Sequence, residues 1–160
     1  MKRLRFSLKT LFALVTVLGI VCGWFAIKIG EARHQKKVVD EIRAMGAMVT
    51  YDWDVRSASV LGQSLIDILG IDFCSNVVEV SVSRVKFDVS RLEELIPWLR
   101  ELPRLEDLDL AFTNISDEQL KELVPLQGLK HISFVGTHVR GSQAFKDLQG
   151  AMPNTRFIVK

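Results

Sequence analysis

Polar side chains that could take part in chemistry recur at matched positions in the second half of the chain. Three short segments each carry a polar pair spaced two residues apart, namely Glu79 and Ser81, Asp107 and Asp109, and His131 and Ser133. Oxygen and nitrogen ligands that converge within about 2.0–2.6 Å of one point can hold a metal ion. A serine, a histidine and an aspartate in mutual contact can perform nucleophilic catalysis.

Both kinds of chemistry depend on how the three segments are held. Residues two apart lie on the same face of a strand, and neighbouring strands hold their side chains about 4.8 Å apart. That spacing is too wide for one ion, and an open sheet lacks the pocket that an oriented base requires. The sequence also contains no phosphate-binding glycine loop, paired-cysteine zinc motif or HExxH. We therefore expect no metal, cofactor or catalysis, with a metal site and a Ser-His-Asp site as the alternatives.

The segment LEDLDLAFTNISDEQLKEL, residues 105–123, indicates which elements position these side chains. LEDLDL alternates between leucine and aspartate, which predicts a short strand with Leu108 and Leu110 on its buried face. Ser116 precedes Gln119 at capping-box spacing, which predicts a helix beginning after Ser116. A strand and one or two helical turns cannot bury their apolar faces alone, so this unit requires neighbours.

Similar units occur on both sides of this segment. The following unit lies 24 residues later, and its Leu129, Ile132, Phe134, Thr137 and Val139 align with Leu105, Leu108, Leu110, Thr113 and Ile115. A weaker unit lies 28 residues earlier, with Val77, Val80, Val82 and Phe87. MPNTRFIV, at 152–159, matches the start of a further unit that is cut short. Self-similarity at this period is typical of a solenoid.

The pattern L-x-x-L-x-L-x-x-T-x-I, followed by Ser-Asp and a leucine-rich helix, resembles the leucine-rich repeat, in its longer ribonuclease-inhibitor form. The resemblance covers roughly 77–159 and implies an α/β fold: a short solenoid with parallel strands on the concave side and helices on the convex side. Thr113 and Thr137 stand where many such repeats carry asparagine. A hydroxyl can still bond the loop backbone, so we expect the turn to be kept. Three unrelated strand–helix units are the alternative.

Residues 10–27, TLFALVTVLGIVCGWFAI, carry no charge. As a helix they would extend about 27 Å, close to the roughly 30 Å of a hydrocarbon core. Trp24 lies near one end, where interfacial aromatic residues are favoured. The exit GWFAIKIG has large residues where a signal peptidase needs small ones, so we predict an uncleaved transmembrane anchor. RFSLKTLFALVTVLGI also resembles the start of many small bacterial membrane proteins that carry such repeats.

Charge is unevenly distributed about this anchor. Residues 1–45 hold nine Lys/Arg and three Asp/Glu, a net +6, whereas residues 46–160 hold twelve and sixteen, a net −4. A basic head beside an apolar segment indicates a membrane surface rather than nucleic acid. Four Lys/Arg precede the anchor and five follow it at 28–45, so their count leaves both orientations open. A short basic tail usually stays in the cytoplasm, which favours a single-pass protein with its repeats on the extracytoplasmic side.

The predicted organisation has five parts. They are a basic tail at 1–9, the transmembrane anchor at 10–27, a juxtamembrane helix at 28–45, an N-terminal cap of the solenoid at 46–76, and about three repeats with a truncated terminal strand at 77–160. Within the cap, VTYDWDV alternates like a strand and SVLGQSLIDILGIDF favours a helix, although Gly62 and Gly70 weaken that helix.

The function predicted from these features is non-catalytic. A membrane-tethered module would bind a protein partner through Glu79, Asp107, Asp109 and His131 on the concave sheet face, with Phe112 at its rim. We expect no nucleic-acid or small-molecule ligand. Phe112 is an exposed contact point in one interpretation and packs into its loop in the other. The alternative function is a structural envelope protein or self-assembling membrane protein.

Overall fold

The computed structural model of this 160-residue chain describes residues 8–52, 66, 70–82 and 91–159. Helices and strands alternate along it, in the order α1 (Leu8–Ala44), β1 (Met48–Tyr51), α2 (Ile71–Cys74), β2 (Val77–Ser81), α3 (Leu92–Arg100), β3 (Asp107–Asp109), α4 (Asp117–Glu122), β4 (His131–Ser133), α5 (Gln143–Ala151) and β5 (Arg156–Ile158). The described part is a mixed α/β structure, with one long apolar N-terminal helix and a small five-stranded sheet.

The strands follow one another across the sheet in chain order, from β1 to β5. The pairs formed by β2, β3, β4 and β5 are parallel, whereas β1 runs antiparallel to β2. The sheet is therefore mixed, and the expectation of parallel strands does not extend to β1. Alternation along one strand determines which side chains share a face but says nothing about the direction of the neighbouring strand.

The two faces of the sheet differ in the way that the alternating sequence predicts. Leu108 pairs with Val80 on one side and with Ile132 on the other, and all three side chains are at most 1% exposed. The aspartates that flank Leu108 are partly exposed on the opposite face. One face of the sheet thus forms the core, and we call the other, partly exposed face the open sheet face.

The turn after each central strand is closed by a threonine, as predicted. Thr113 donates its hydroxyl hydrogen bond to the Leu110 carbonyl at 2.6 Å. Thr137, 24 residues later, makes the same bond to the Phe134 carbonyl at 2.7 Å. The predicted capping box at the start of α4 is also confirmed, because the side chains of Ser116 and Gln119 each accept the other's backbone N–H.

Aromatic rings fill the C-terminal end of the core. Phe134 stacks on Phe157, with ring centroids 6.4 Å apart, and meets Phe145 edge-on at 5.8 Å. Such pairs contribute roughly 0.5–1.5 kcal/mol each beyond their buried area. Phenylalanines here replace the leucines of the preceding unit, so this part of the core rests on ring packing.

The predicted anchor and juxtamembrane helix form one continuous helix, α1, whose two halves have different surroundings. Its N-terminal half exposes its large apolar side chains and is a candidate membrane span. In the C-terminal half, Val38, Val39 and Ile42 are buried in the core. Gly46, with φ 93°, ends the helix as predicted: its N–H bonds the Arg43 carbonyl and the next N–H bonds the Ile42 carbonyl.

The segment between β1 and α2 bears on the predicted cap. Residues 53–55 of the predicted strand VTYDWDV, and residues 59–65 and 67–69 of the predicted helix SVLGQSLIDILGIDF, are outside the described ranges. The described part of that strand is β1, which begins at Met48. Gly70, with φ 86°, immediately precedes α2. This left-handed conformation is one that glycine adopts without steric cost.

Candidate functional site

One row of polar side chains crosses the open sheet face at matched register. Glu79 pairs with Asp107, and Asp107 pairs with His131, in adjacent parallel strands. Thr50 extends the row on the β1 side and Arg156 extends it on the β5 side. The three sequence-predicted residues are therefore neighbours across β2, β3 and β4, which places two carboxylates and an imidazole side by side.

A second row lies two residues further along the same strands. Ser81 pairs with Asp109, and Asp109 pairs with Ser133. The Asp109 carboxylate accepts the Ser81 hydroxyl at 3.2 Å and the Ala111 backbone N–H at 3.0 Å. These two bonds fix the orientation of the carboxylate on the sheet, so Asp109 presents a positioned negative charge.

A close contact joins the imidazole and one of the carboxylates. His131 Nδ1 lies 2.6 Å from Asp107 Oδ1, and both side chains are 45% exposed. At that exposure an ion pair contributes no more than about 1 kcal/mol to stability. Among the described residues, the imidazole bonds Asp107, and the backbone N–H of His131 donates to the Glu106 carbonyl at 3.0 Å. The contact therefore positions the imidazole of His131 within the row.

The residues of the two rows on β3, β4 and β5, together with Glu79, line a broad, shallow depression of about 590 Å³ on the open sheet face. Ala111 and Val135 border it beside the charged rows, and Ile158 adds an exposed apolar side chain on β5. Small-molecule sites are enclosed enough to bury most of their ligand, which this open surface does not do. Within the described ranges, no three His, Cys, Asp or Glu side chains converge to hold a metal ion.

Arg156 is part of this site but was missed in the sequence. It pairs in register with His131 and lines the depression. The row therefore runs from two acids at β2 and β3 to a permanent cation at β5, rather than being uniformly acidic. Aligning Phe157 with Ile132 in the shortened last unit would have placed Arg156 at the position of His131.

Phe112 lies just beyond the C-terminal end of β3 and has an unusual backbone. Its φ is 57°, a left-handed conformation that costs a residue with a side chain roughly 1–2 kcal/mol. The equivalent residue 24 positions later is Gly136, whose φ of 69° carries no such cost. The turn thus requires a left-handed residue, and its two copies meet that requirement with different residues.

The ring of Phe112 is both packed and exposed. A Cβ atom built on Gly136 would lie 2.5 Å from Phe112 Cδ1, so the ring covers the position where a side chain would stand. The Phe112 side chain is nevertheless 55% exposed, and its N–H donates to the Val135 carbonyl at 2.7 Å. The ring therefore packs over Gly136 on one side and is exposed on the other, so each of the two interpretations, a packed ring and an exposed contact point, describes one side of it.

We predict that Gly136→Ala lowers the free energy of unfolding through two separable costs. One is the backbone cost of alanine at positive φ, about 1–2 kcal/mol. The other is displacement of the Phe112 ring. In a Phe112→Ala background only the backbone cost should remain, which chemical denaturation of the four proteins of the cycle would measure. Equal costs in the two backgrounds would show that the ring does not cover Gly136.

The arrangement is suited to charge-selective contact over a broad surface. Acids occupy its centre and a cation occupies one edge, and the exposed Phe112 follows Ala111, which lines the depression. Aromatic and arginine side chains are the residue types enriched at protein–protein interfaces.

No family model, curated protein or solved structure matches the chain.

Proposed function

We propose that the chain is a membrane-anchored leucine-rich-repeat module that binds a protein partner through its open sheet face, without catalysis. The observation that carries the proposal is the grouping of Glu79, Asp107 and Asp109 on two adjacent strands of a partly exposed face. Directly opposed like charges destabilise a sheet. A cluster of this kind is expected where a ligand of opposite charge offsets the repulsion.

The repeat assignment is supported by the equivalence of successive units. The strands β2, β3 and β4 are parallel and in register, and each is followed along the chain by a helix. Thr113 and Thr137 close the same turn with the same bond. In a short solenoid the strands would form the concave side, so the open sheet face would be the concave face.

Membrane anchoring is supported by the N-terminal half of α1. Leu11, Leu14 and Leu18 are each more than half exposed, which is unfavourable in water and favourable in lipid. In the proposed arrangement α1 crosses the bilayer once and the sheet lies on the extracytoplasmic side. Confinement to a membrane surface raises the local concentration of any partner held there, so a weak contact suffices.

The partner should carry basic side chains at the centre of its contact surface. Complementary charge accelerates encounter and makes binding sensitive to salt. Arg156 would disfavour a partner that is basic throughout and favour one with an acid or apolar group near β5. The exposed Phe112 ring offers an apolar anchor next to the charged rows.

The test is a charge-only variant, Glu79→Gln with Asp107→Asn and Asp109→Asn. Amides keep the size of the side chains. An asparagine at 109 can accept the Ala111 N–H through its oxygen and donate its NH2 group to the Ser81 hydroxyl, so the fold should be retained or slightly stabilised. Capture of partners from membranes at low salt should fall, and the salt dependence of what remains should weaken. The readout is quantitative mass spectrometry of material bound to the immobilised full-length protein.

A matched control removes the same number of negative charges elsewhere. Glu93, Glu122 and Asp147 are exposed on three helices, and their conversion to Gln, Gln and Asn should leave capture unchanged. If the two triple variants capture the same proteins equally well, the open sheet face is not the site.

A photoreactive benzoylphenylalanine at position 112 should form a crosslinked adduct with the partner, and the same group at position 122 should not. An adduct of the chain with itself would favour self-assembly instead.

A further inference from the structure

Helix α2 lies against α1, and its contacts reach the apolar half of that helix. The ring of Phe73 in α2 stacks on the ring of Phe25 in α1, with centroids 5.9 Å apart and planes 20° apart. Trp24 meets Phe25 edge-on at 5.3 Å, so three rings form one cluster. Phe73 is only partly buried in spite of these contacts. We call the part of the structure from β1 to β5 the sheet domain. An aromatic surface therefore continues from the candidate membrane span onto the sheet domain.

The position of Phe25 in α1 sets the depth of this cluster relative to the bilayer. Phe25 belongs to the uncharged segment 10–27, whose middle is near Leu18. At 1.5 Å per residue its backbone lies about 10 Å from the middle, which is within the roughly 15 Å half-thickness of a hydrocarbon core. Phe73, stacked on it, would lie close to the boundary between acyl chains and headgroups.

Two residues beside the cluster are of types that favour this boundary. Trp24 and Lys28 line a groove of about 450 Å³ together with Phe73 and Cys74. The acids of the same groove have polar partners: Glu31 lies 2.6 Å from Lys28, and Glu101 lies 2.9 Å from His34. Tryptophan prefers the headgroup level, and lysine places its charge there while its methylene groups lie along apolar surface. The only acid of α2, Asp72, is turned toward the domain, where its carboxylate accepts the hydroxyl of Tyr51 at 2.9 Å.

Polar bonds hold α2 on α1 above the cluster. Gln35 of α1 donates to the Asp72 carboxylate at 3.3 Å and to the Ser75 carbonyl at 3.0 Å. Burial, together with the hydrogen bond to Asp72, raises the pKa of Tyr51 well above its ordinary value, so its hydroxyl stays protonated and keeps donating. The sheet domain therefore cannot tilt away from α1 without breaking several bonds.

We propose that α2 is a second membrane contact, with Phe73 inserted at the boundary between headgroups and acyl chains. The sheet domain then rests on the bilayer surface in a fixed orientation, instead of standing above it on a free stalk. The proposed occupant of this surface is lipid, because the surface is continuous with the candidate span. The inference rests on the proposed crossing of the bilayer by α1, and it concerns a surface separate from the open sheet face.

Depth-dependent fluorescence quenching tests both the crossing of the bilayer by α1 and the insertion of Phe73 at its surface. Full-length protein carrying Cys22→Ser and Cys74→Ser receives one new cysteine, by Leu18→Cys, Phe73→Cys or Glu122→Cys, and an environment-sensitive dye. The vesicles contain phosphatidylcholine and phosphatidylglycerol with a quencher at a chosen depth. The dye at position 18 should lose most of its fluorescence to deep quenchers, and the dye at 73 to shallow ones. The dye at 122 should respond to neither.

Three other quenching patterns would overturn the proposal, and each has a different meaning. Quenching at 18 without quenching at 73 would mean that α1 is anchored but the domain stands clear of the lipid. Absence of quenching at both would refute the anchor as well. A blue-shifted dye at 73 that lipid quenchers do not reach would mean that protein covers α2.

A second measurement keeps Phe73 in place during labelling. The native Cys74 is labelled in a Cys22→Ser protein, and shallow quenching is compared before and after Phe73→Asp and Phe73→Leu. Aspartate should abolish most of the quenching and leucine should retain it, because only leucine can stay in an apolar boundary. Equal quenching in the two variants would show that Phe73 does not hold α2 to the membrane.

Discussion

Leu108→Ala should lower the free energy of unfolding by about 2–5 kcal/mol, the range for deleting a fully buried leucine side chain. Leu108 is 1% exposed and lies between Val80 and Ile132 in the middle of the sheet. Whole domains are stable by only about 5–15 kcal/mol, so this one change should remove a large share. Denaturant titration followed by circular dichroism would measure the loss as a lower transition midpoint.

The matched control is the neighbouring residue on the opposite face of the same strand. Asp107→Ala removes only a partly exposed contact with His131, and should change stability by no more than about 1 kcal/mol. Comparable losses from the two variants would mean that the faces of β3 are assigned the wrong way round. A larger loss from Asp107→Ala would make the Asp107–His131 pair a structural element rather than a surface contact.

Leu18→Arg should release the protein from membranes, because an arginine at the centre of a spanning helix costs roughly 3 kcal/mol of insertion free energy. Leu18 is 57% exposed in the middle of the apolar half of α1. On a helix bathed in water the same change would be neutral or favourable, so the sign of the effect distinguishes lipid from water. Carbonate extraction of membranes, followed by immunoblotting, measures the fraction that remains inserted.

Leu18→Ile serves as the control and should remain in the membrane fraction after extraction. The intact mass of the wild-type protein should include residues 1–27. A mature chain that begins near residue 27 would identify the apolar segment as a cleaved signal, and an arginine variant that resists extraction would refute the spanning helix.

The local elements were determined by the sequence because their signals are short-range. Alternation places Leu108 on the buried face of β3 and Asp107 on the open face. The side chains of Ser116 and Gln119 act on backbone groups three residues away, which fixes the start of α4. Repetition at 24 and 28 residues predicted that Glu79, Asp107 and His131 would align, since equivalent residues of stacked units pair in register.

Three features were decided only by tertiary structure, because each depends on residues distant in the chain. The direction of β1 is set by its pairing with β2. The left-handed Phe112 is held where Gly136 leaves room for its ring. The contact of Phe25 with Phe73 joins the candidate membrane span to α2, two parts that the sequence predicts separately. Alternation and capping reach only a few residues along the chain, whereas these contacts are set by how whole elements pack.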